Sequence, residues 1–478
     1  MSILVIDVGT SSVRAAVVRP GGRLDGLQRR ASLPDTPFPG LVEFDATALA
    51  AIALEAAAAA LEAAGPVDAV GVTNQRASTI VWDRATGEPV RPAIGWQDLR
   101  TVGECLVHQA AGLRLAPNVS ATKLALLLQG AGEGRDLCFG TVDTWLVWQL
   151  TGGRLHVTDP SNAGLTGLLR LDGSGWDLDV CAALGIPPEV LPAIVDSTGG
   201  VGDASALAGG PTIAGIAGDQ QASLVGQSCV RPGSAKATFG TGGMLDVCTG
   251  AARPSFPTRG EAGSFPIVAW RDGGTVTWGV ESVMLSAGSA VEWLRDDLGL
   301  VGDAADTAAI AAACPDTGGV VFVPALVGLG APHWDHGARG ALLGLTRGSG
   351  RPQVVRAVLE GVAHRGADLL EAAEADAAVT VDRLRVDGGM SANPVFLQAL
   401  ADAIGRPVEV APHADATLLG AAYLAGMAVG TWAGWDDIAT AWAPRAVVEP
   451  AGAADRDRWR DAVARAGGWY PELSAIDF

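Results

Sequence analysis

Two stretches of this chain share one pattern, and it constrains the fold more than any other feature. Residues 3–6 are an apolar run ending in Asp7, Gly9-Thr10-Ser11-Ser12 follows, and the apolar pattern resumes over 13–18. Far downstream, Ala235–Phe239 is extended, Gly240-Thr241-Gly242-Gly243 breaks it, and 244–248 is extended again. Strand, tight polar turn, strand reads as a hairpin. With one copy opening each half, the pair reads as an internal duplication. Between them lie an Ala-rich helix at Ala46–Ala64, a strand at 69–73, and a buried strand at 213–216 running into Gly218-Asp219-Gln220. After them come a strand at 320–324 and a Gly-rich stretch at 328–330. A helix over 352–373 has Val355, Val358, Leu359 and Val362 on one face, and a strand at 384–387 enters Gly388-Gly389. A last apolar helix starts near Thr417. Strands alternating with helices predict an α/β architecture. At 478 residues the chain has room for two or three domains. The boundary is placed just after Gln220, giving domains 1–228 and 229–478.

Composition narrows the function. Lys and Arg number 33 against 52 Asp and Glu, a net charge of −19, which repels nucleic acid and anionic membranes alike. Hydrophobic residues make up 49% and charged ones 18%, which argues against a disordered chain. The six cysteines show no CxxC spacing and no Cys/His cluster for zinc, so reduced thiols in the cytoplasm are expected. MSILVIDVGT has no basic n-region followed by a long apolar stretch, so no signal peptide is expected. Glu55 and Glu62 interrupt the Ala-rich run, which reads as a soluble helix and not a membrane span. Only two lysines occur, Lys123 and Lys236, a scarcity that reads as coding bias.

A turn rich in Gly, Ser and Thr offers backbone N–H groups and hydroxyls to a small concave space, which suits phosphate. One such turn alone is just a turn. Two at matching points of two half-chains suggest a nucleotide held between the halves, with Arg14 as a cation behind the first. GxxxxGK[ST] is absent, and no GxGxxG follows a strand, so P-loop and dinucleotide sites are excluded. Gly242 is expected to need backbone room at phosphate and a positive φ. Asp7 and Asp219 each stop an apolar strand. One could hold Mg²⁺ through water and the other could take a proton from a hydroxyl nucleophile, although either alone would ordinarily be a turn cap.

At DVGTSSVR from Asp7, the chain resembles the first phosphate loop of the sugar-kinase/Hsp70/actin superfamily. Within that superfamily it is similar to the FGGY carbohydrate kinases, most of all to glycerol kinases. GVTNQRASTIVWDRATGEPVRPAIGWQDLRT, TVDTWLVWQLTGG, IAGIAGDQQASLVGQ, VPALVGLGAPHWDHGARGALLGLTRG and VDGGMSAN carry the likeness. The resemblance implies two actin-like (ribonuclease H-like) domains around a cleft that holds ATP, Mg²⁺ and a small polyol or sugar. By the same resemblance, Asp219 is the catalytic base and Asp7 organises Mg²⁺ through water. Thr10, Ser11, Ser12 and Arg14 form one phosphate loop and Gly240, Thr241 and Gly242 the other. Gly288, Glu292, Gly389 and Asn393 lie around the nucleotide. Arg76, Ala77, Trp96, Asn118, Gln220 and Met244 join Asp219 in the substrate pocket. A homo-oligomer is compatible with the likeness.

Four of these positions depart from the glycerol kinase pattern. Ala77 stands where Glu is usual, Asn118-Val119 for Tyr-Phe, Met244 for Phe, and Glu292 for Gln. The first three remove hydroxyl-binding groups or leave room, so a four- or five-carbon polyol or ketose is the rival acceptor to glycerol. Two non-enzymatic readings compete. A non-catalytic actin-like ATP-binding protein would need no base at Asp219. A repressor of the same superfamily would carry a basic helix-turn-helix, and none is seen.

Overall fold

In a computed structural model, residues 1–131, 134–413 and 415–477 are described. Ile3–Val8 (β1) and Ser12–Val18 (β2) form the first hairpin, and Leu24–Ala31 (β3) extends it. Ala69–Asn74 (β4), Thr198–Asp203 (β5) and Thr212–Gly218 (β6) complete a sheet of order β5-β6-β4-β1-β2-β3. The second sheet holds Ala235–Phe239 (β7), Gly243–Gly250 (β8), Phe265–Asp272 (β9) and Thr275–Met284 (β10). Leu384–Asp387 (β11), Val408–Val410 (β12) and Ala446–Val448 (β13) finish it, in the order β9-β10-β8-β7-β11-β12-β13.

The duplication extends from the hairpins to both sheets. In the first, β3, β2 and β1 are antiparallel neighbours, β4 and β6 follow in parallel, and β5 closes antiparallel. In the second, β10, β8, β7, β11, β12 and β13 repeat that sequence of polarities, with β9 added at the edge. Each opening strand is central and buried; Ile3–Val8 reads as an apolar run up to Asp7, whereas Ala235–Phe239 carries Lys236 and Thr238 within it.

Helix Ala46–Ala64 (α1) has the expected bounds. Its N-cap Asp45 accepts from the backbone N–H groups of Thr47 and Ala48. By length and composition it could cross a membrane. Yet Leu49, Ala53, Ala56, Ala57 and Ala60 are buried in one core with β1 and β2. Asp219–Gly226 (α2) follows β6, Gly288–Asp296 (α3) follows β10, and Arg351–Ala377 (α4) crosses the second half. Pro394–Ile404 (α5) and Ala416–Ala428 (α6) come later. Although α6 belongs to the second half of the sequence, its residues share a core with Ile3, Val5 and Ala214 of the first sheet, and with Cys248 and Trp270 of the second. Here α6 crosses α2 by backbone. A Cβ at Gly226 would collide with the Ala416 carbonyl, and one at Gly420 with that of Ala222. All six cysteines are free and buried.

Candidate active site

The first turn closes tightly, with the Gly9 N–H donating to the Ser12 carbonyl at 3.0 Å. Beneath it Asp7 and Arg14 are directly paired across β1 and β2. Arg14 Nε donates to Asp7 at 2.9 Å and Nη1 to Asp415 at 2.8 Å. The guanidinium therefore sits between two carboxylates. Burial pushes the Asp7 carboxyl up, and Arg14 pulls it back only in part. Ser11 is exposed and Thr10 half-buried. The Thr10 hydroxyl accepts from the Trp96 indole at 3.1 Å.

β6 delivers Asp219 as the first residue of α2. A buried carboxylate, Asp159, braces the strand end: it accepts from Ser161, whose hydroxyl accepts from the Gly218 N–H at 2.9 Å. The Asp219 side chain is 30% exposed, and Arg76 Nε reaches it at 3.3 Å from the loop after β4. Burial raises the Asp219 carboxyl, Arg76 opposes this, and the charge of Asp7 adds to it. The charge of Asp7 thus reaches Asp219 from another strand end. A raised carboxyl is a better proton acceptor once ionised, as a general base requires.

The second turn is neutral. The Gly288 N–H, opening α3, donates to the Gly240 carbonyl at 2.8 Å, and the N–H groups of Ala287 and Ser289 donate to Thr241 at 2.9 and 3.1 Å. Gly240, Thr241 and Gly288 are thus in direct contact. Gly242 does not have the expected positive φ. What requires glycine there is proximity, since a Cβ would lie 2.8 Å from the Met284 carbonyl oxygen. Gly389 and Glu292 are exposed. Asn393 caps α5, accepting from the N–H groups of Val395 and Phe396 and donating to Thr307 at 3.0 Å.

In the substrate region, Ala77 is buried and adopts φ +61, left-handed for a residue other than glycine. Its carbonyl accepts from the Ser120 hydroxyl at 2.9 Å, and Asn118, two residues before Ser120, is exposed. Met244 is half-buried on β8, directly after Gly243.

Two family models cover this arrangement. The N-terminal domain of the FGGY family of carbohydrate kinases matches residues 2–226 and the C-terminal domain residues 235–429. The chain belongs to the FGGY family of carbohydrate kinases. It is accordingly a phosphotransferase with an alcohol group as acceptor. A glycerol kinase from Aromatoleum aromaticum is 44% identical over 494 residues, covering 98% of this chain and 99% of its own. One from Trichlorobacter lovleyi is also 44% identical, at the same coverage. The crystal structure of Plasmodium falciparum glycerol kinase with ADP superposes with a TM-score of 0.89 at 28% identity, covering 100% of this chain and 99% of that one. A xylulose kinase from Rhodospirillum rubrum shares the fold, with a TM-score of 0.87 at 24% identity.

In this FGGY kinase the sequence reading missed the buried charges behind the site. Glu281 on β10 lies 2.8 Å from Arg76 Nη1. Lys236 and Asp246, both fully buried, lie 2.7 Å apart. Lys123 Nζ donates to the carbonyls of Gly95 and Trp96 at 2.9 and 3.0 Å, fixing the loop that carries the indole. Burial brings that ammonium down to about 7. A signal was available: the only two lysines of the chain, Lys123 and Lys236, are both fully buried.

Proposed function

We propose that this chain transfers the γ-phosphoryl group of ATP to a terminal hydroxyl of glycerol. The observation that carries this is Asp219, partly exposed at the end of β6 and met by Arg76 at 3.3 Å. The 44% identity to two glycerol kinases supports the choice of acceptor. Asp219 accepts the proton as the hydroxyl attacks in line. Arg76 orients the hydroxyls, Gln220 lies beside the base, and Trp96 forms a wall. Ala77, Asn118 and Met244 line the remainder of the pocket. Thr10, Ser11 and Ser12 face the transferring phosphate from one side and Gly240, Thr241 and Gly242 from the other. Arg14 keeps Asp7 in place. Gly288, Glu292, Gly389 and Asn393 border the nucleotide. Phosphoryl transfer passes through a loose transition state, so positioning and charge neutralisation supply most of the rate.

Among the described residues no group of three or more His, Cys, Asp or Glu could hold a metal. Mg²⁺ keeps most of its waters and asks for one or two carboxylates beside phosphate oxygens. Asp7 fits that limited role, and the ion would neutralise charge on the phosphates. The proposed division remains 1–228 and 229–478, with the cleft between, in a soluble cytoplasmic enzyme.

A second reading rests on Ala77, Asn118 and Met244, which leave the pocket short of hydroxyl-binding groups and favour a four- or five-carbon polyol or ketose. A panel of three- to six-carbon polyols and ketoses with coupled ADP detection tests both. Glycerol giving the highest kcat/KM supports the first reading, and a longer acceptor exceeding it overturns that reading in favour of the second.

A further inference from the structure

Behind the proposed substrate pocket, three charged residues stand in one row across three neighbouring strands. Lys236 on β7 is paired with Asp246 on β8, and Asp246 with Glu281 on β10. Lys236 and Asp246 are fully buried and Glu281 nearly so. Paired residues on one sheet face have their Cβ atoms close enough for side chains to meet. The row continues towards the cleft on both sides. Arg76 joins Glu281 at 2.8 Å to Asp219 at 3.3 Å, and Lys236 donates to the Gln220 side chain at 2.5 Å.

The charges in this row do not balance. Three carboxylates, Asp219, Asp246 and Glu281, meet two cations, Arg76 and Lys236. Lys236 spends its three donors on Gln220, Thr238 and the neighbourhood of Asp246 Oδ2. Among the described residues neither Asp246 oxygen accepts a well-formed hydrogen bond: Oδ2 has only the ion-pair contact with Lys236 at 2.7 Å and Oδ1 has none, while Glu281 Oε2 has only the ion-pair contact with Arg76 at 2.8 Å. An ionised carboxylate so placed would be costly. A single proton between Asp246 and Glu281 removes the excess charge and gives both groups a partner.

We propose that Asp246 is a positioning residue that holds a proton and donates it in a hydrogen bond to Glu281, fixing Glu281 against Arg76 and thereby Arg76 against Asp219. This rests on the reading of Asp219 as the base. Asp246 itself lies too deep to touch substrate. Burial pushes its carboxyl up to about 7, with Lys236 opposing and Glu281 adding to the rise. Burial acts on Glu281 in the same direction, but the charge of Arg76 holds it below its ordinary value. The groups facing Asp246 are Lys236 from β7, Glu281 from β10 and Arg76 from the loop after β4. Asp219 from α2 and Asp387 from β11 lie one contact further out. Cys248, on the same strand, stays a thiol up to about 11. Loss of the Asp246 proton would put a second anion beside Glu281 and draw Arg76 away from the base, so activity should fall as pH rises.

The test is the pH profile of kcat/KM for the acceptor between about pH 6 and pH 9, a range spanning the histidine and cysteine model values. Wild type, Asp246→Asn and Asp246→Leu are compared, together with the infrared band of a protonated carboxyl. Wild type should lose activity above neutrality. Asp246→Asn, whose amide donates at every pH, should show no such fall. Asp246→Leu should lose roughly tenfold in kcat/KM for the acceptor, about the effect of one lost buried hydrogen bond, with KM for ATP little moved. Asp246→Asn should recover most of that loss. The infrared band should be present in wild type below neutrality and absent from Asp246→Asn. An Asp246→Asn profile that tracks wild type, or wild-type kcat/KM in Asp246→Leu, overturns the proposal. If Asp246→Leu does not fold, the Asn profile decides. If wild type phosphorylates no polyol, the functional reading fails while the infrared band still decides where the proton is.

Discussion

One row below the first turn, Asp7 stands opposite Arg14; one row below the second, Thr238 stands opposite Met244. In the second hairpin the charges come two rows deeper, as Lys236 and Asp246. The same hairpin therefore serves two purposes. In the first unit the charged pair Asp7–Arg14 sits directly beneath the turn. In the second the turn carries no ionisable side chain, and the charged pair lies two rows deeper, beside Glu281. Duplication copies the backbone frame, and the chemistry follows from which row of the hairpin carries ionisable side chains.

The largest expected effect breaks the site where the halves meet. Asp219→Asn keeps the shape but cannot take the proton, so kcat should fall 10²- to 10⁴-fold, the range typical of a general base. ATP binding should persist by calorimetry. More than about a tenth of wild-type kcat, with chemistry limiting, would remove Asp219 from that role. In the wild type the acid limb of kcat/KM should lie above the ordinary carboxylate value of 3.8, because burial raises Asp219 and only its ionised form accepts a proton.

Next in size is a lesion of the neutral turn. Gly242→Val would drive a side chain into the Met284 carbonyl, now 2.8 Å from where a Cβ would stand. Misplacement of about an ångström can cost roughly a hundredfold. The loss should fall on kcat and KM for ATP, with a cooperative thermal melt retained. Unchanged values of both would mean that the second turn does not hold phosphate.

A smaller effect concerns the acceptor. The triple change Ala77→Glu, Asn118→Tyr, Met244→Phe should raise kcat/KM for glycerol by roughly tenfold, on the scale of one or two hydrogen bonds at about 1 kcal/mol each. It should lower the value for any longer acceptor. The positive φ of Ala77 makes the Glu change the most strained of the three, so the singles should not add. A triple variant no better with glycerol would make the three departures neutral. Smallest of all, Glu292→Gln should shift KM for ATP by no more than about twofold, since Glu292 is exposed and exposed charges contribute little. A larger shift would mean that Glu292 contacts the nucleotide.

Much of this was legible in the sequence. Ala46–Ala64, Ala235–Phe239 and Leu384–Asp387 have the bounds that patterning gave them: Asp45 and Gly65 bracket the first, and glycines at 240 and 388 stop the two strands. The paired turns and Asp7 and Asp219 stood out for the same reason. Asp246 and Glu281 did not. Each is a lone charge in an otherwise apolar strand, and in one dimension such a residue resembles a solvent-facing position. Only the pairing of β8 with β10 shows that they face one another inside the protein. Arg14 was recognised as a cation, but its second carboxylate, Asp415, comes from the far end of the chain and no local pattern announces it.

The crossing of α2 and α6 leaves no room for even a methyl group. A Cβ at Gly226 would stand 1.8 Å from the Ala416 carbonyl oxygen, and one at Gly420 1.7 Å from that of Ala222. Asp219 opens α2, so any side chain at either glycine would have to prise the two helices apart and carry that carboxylate with it. Two hydrogen atoms, remote in sequence from one another, thus set where the strand-end carboxylate stands.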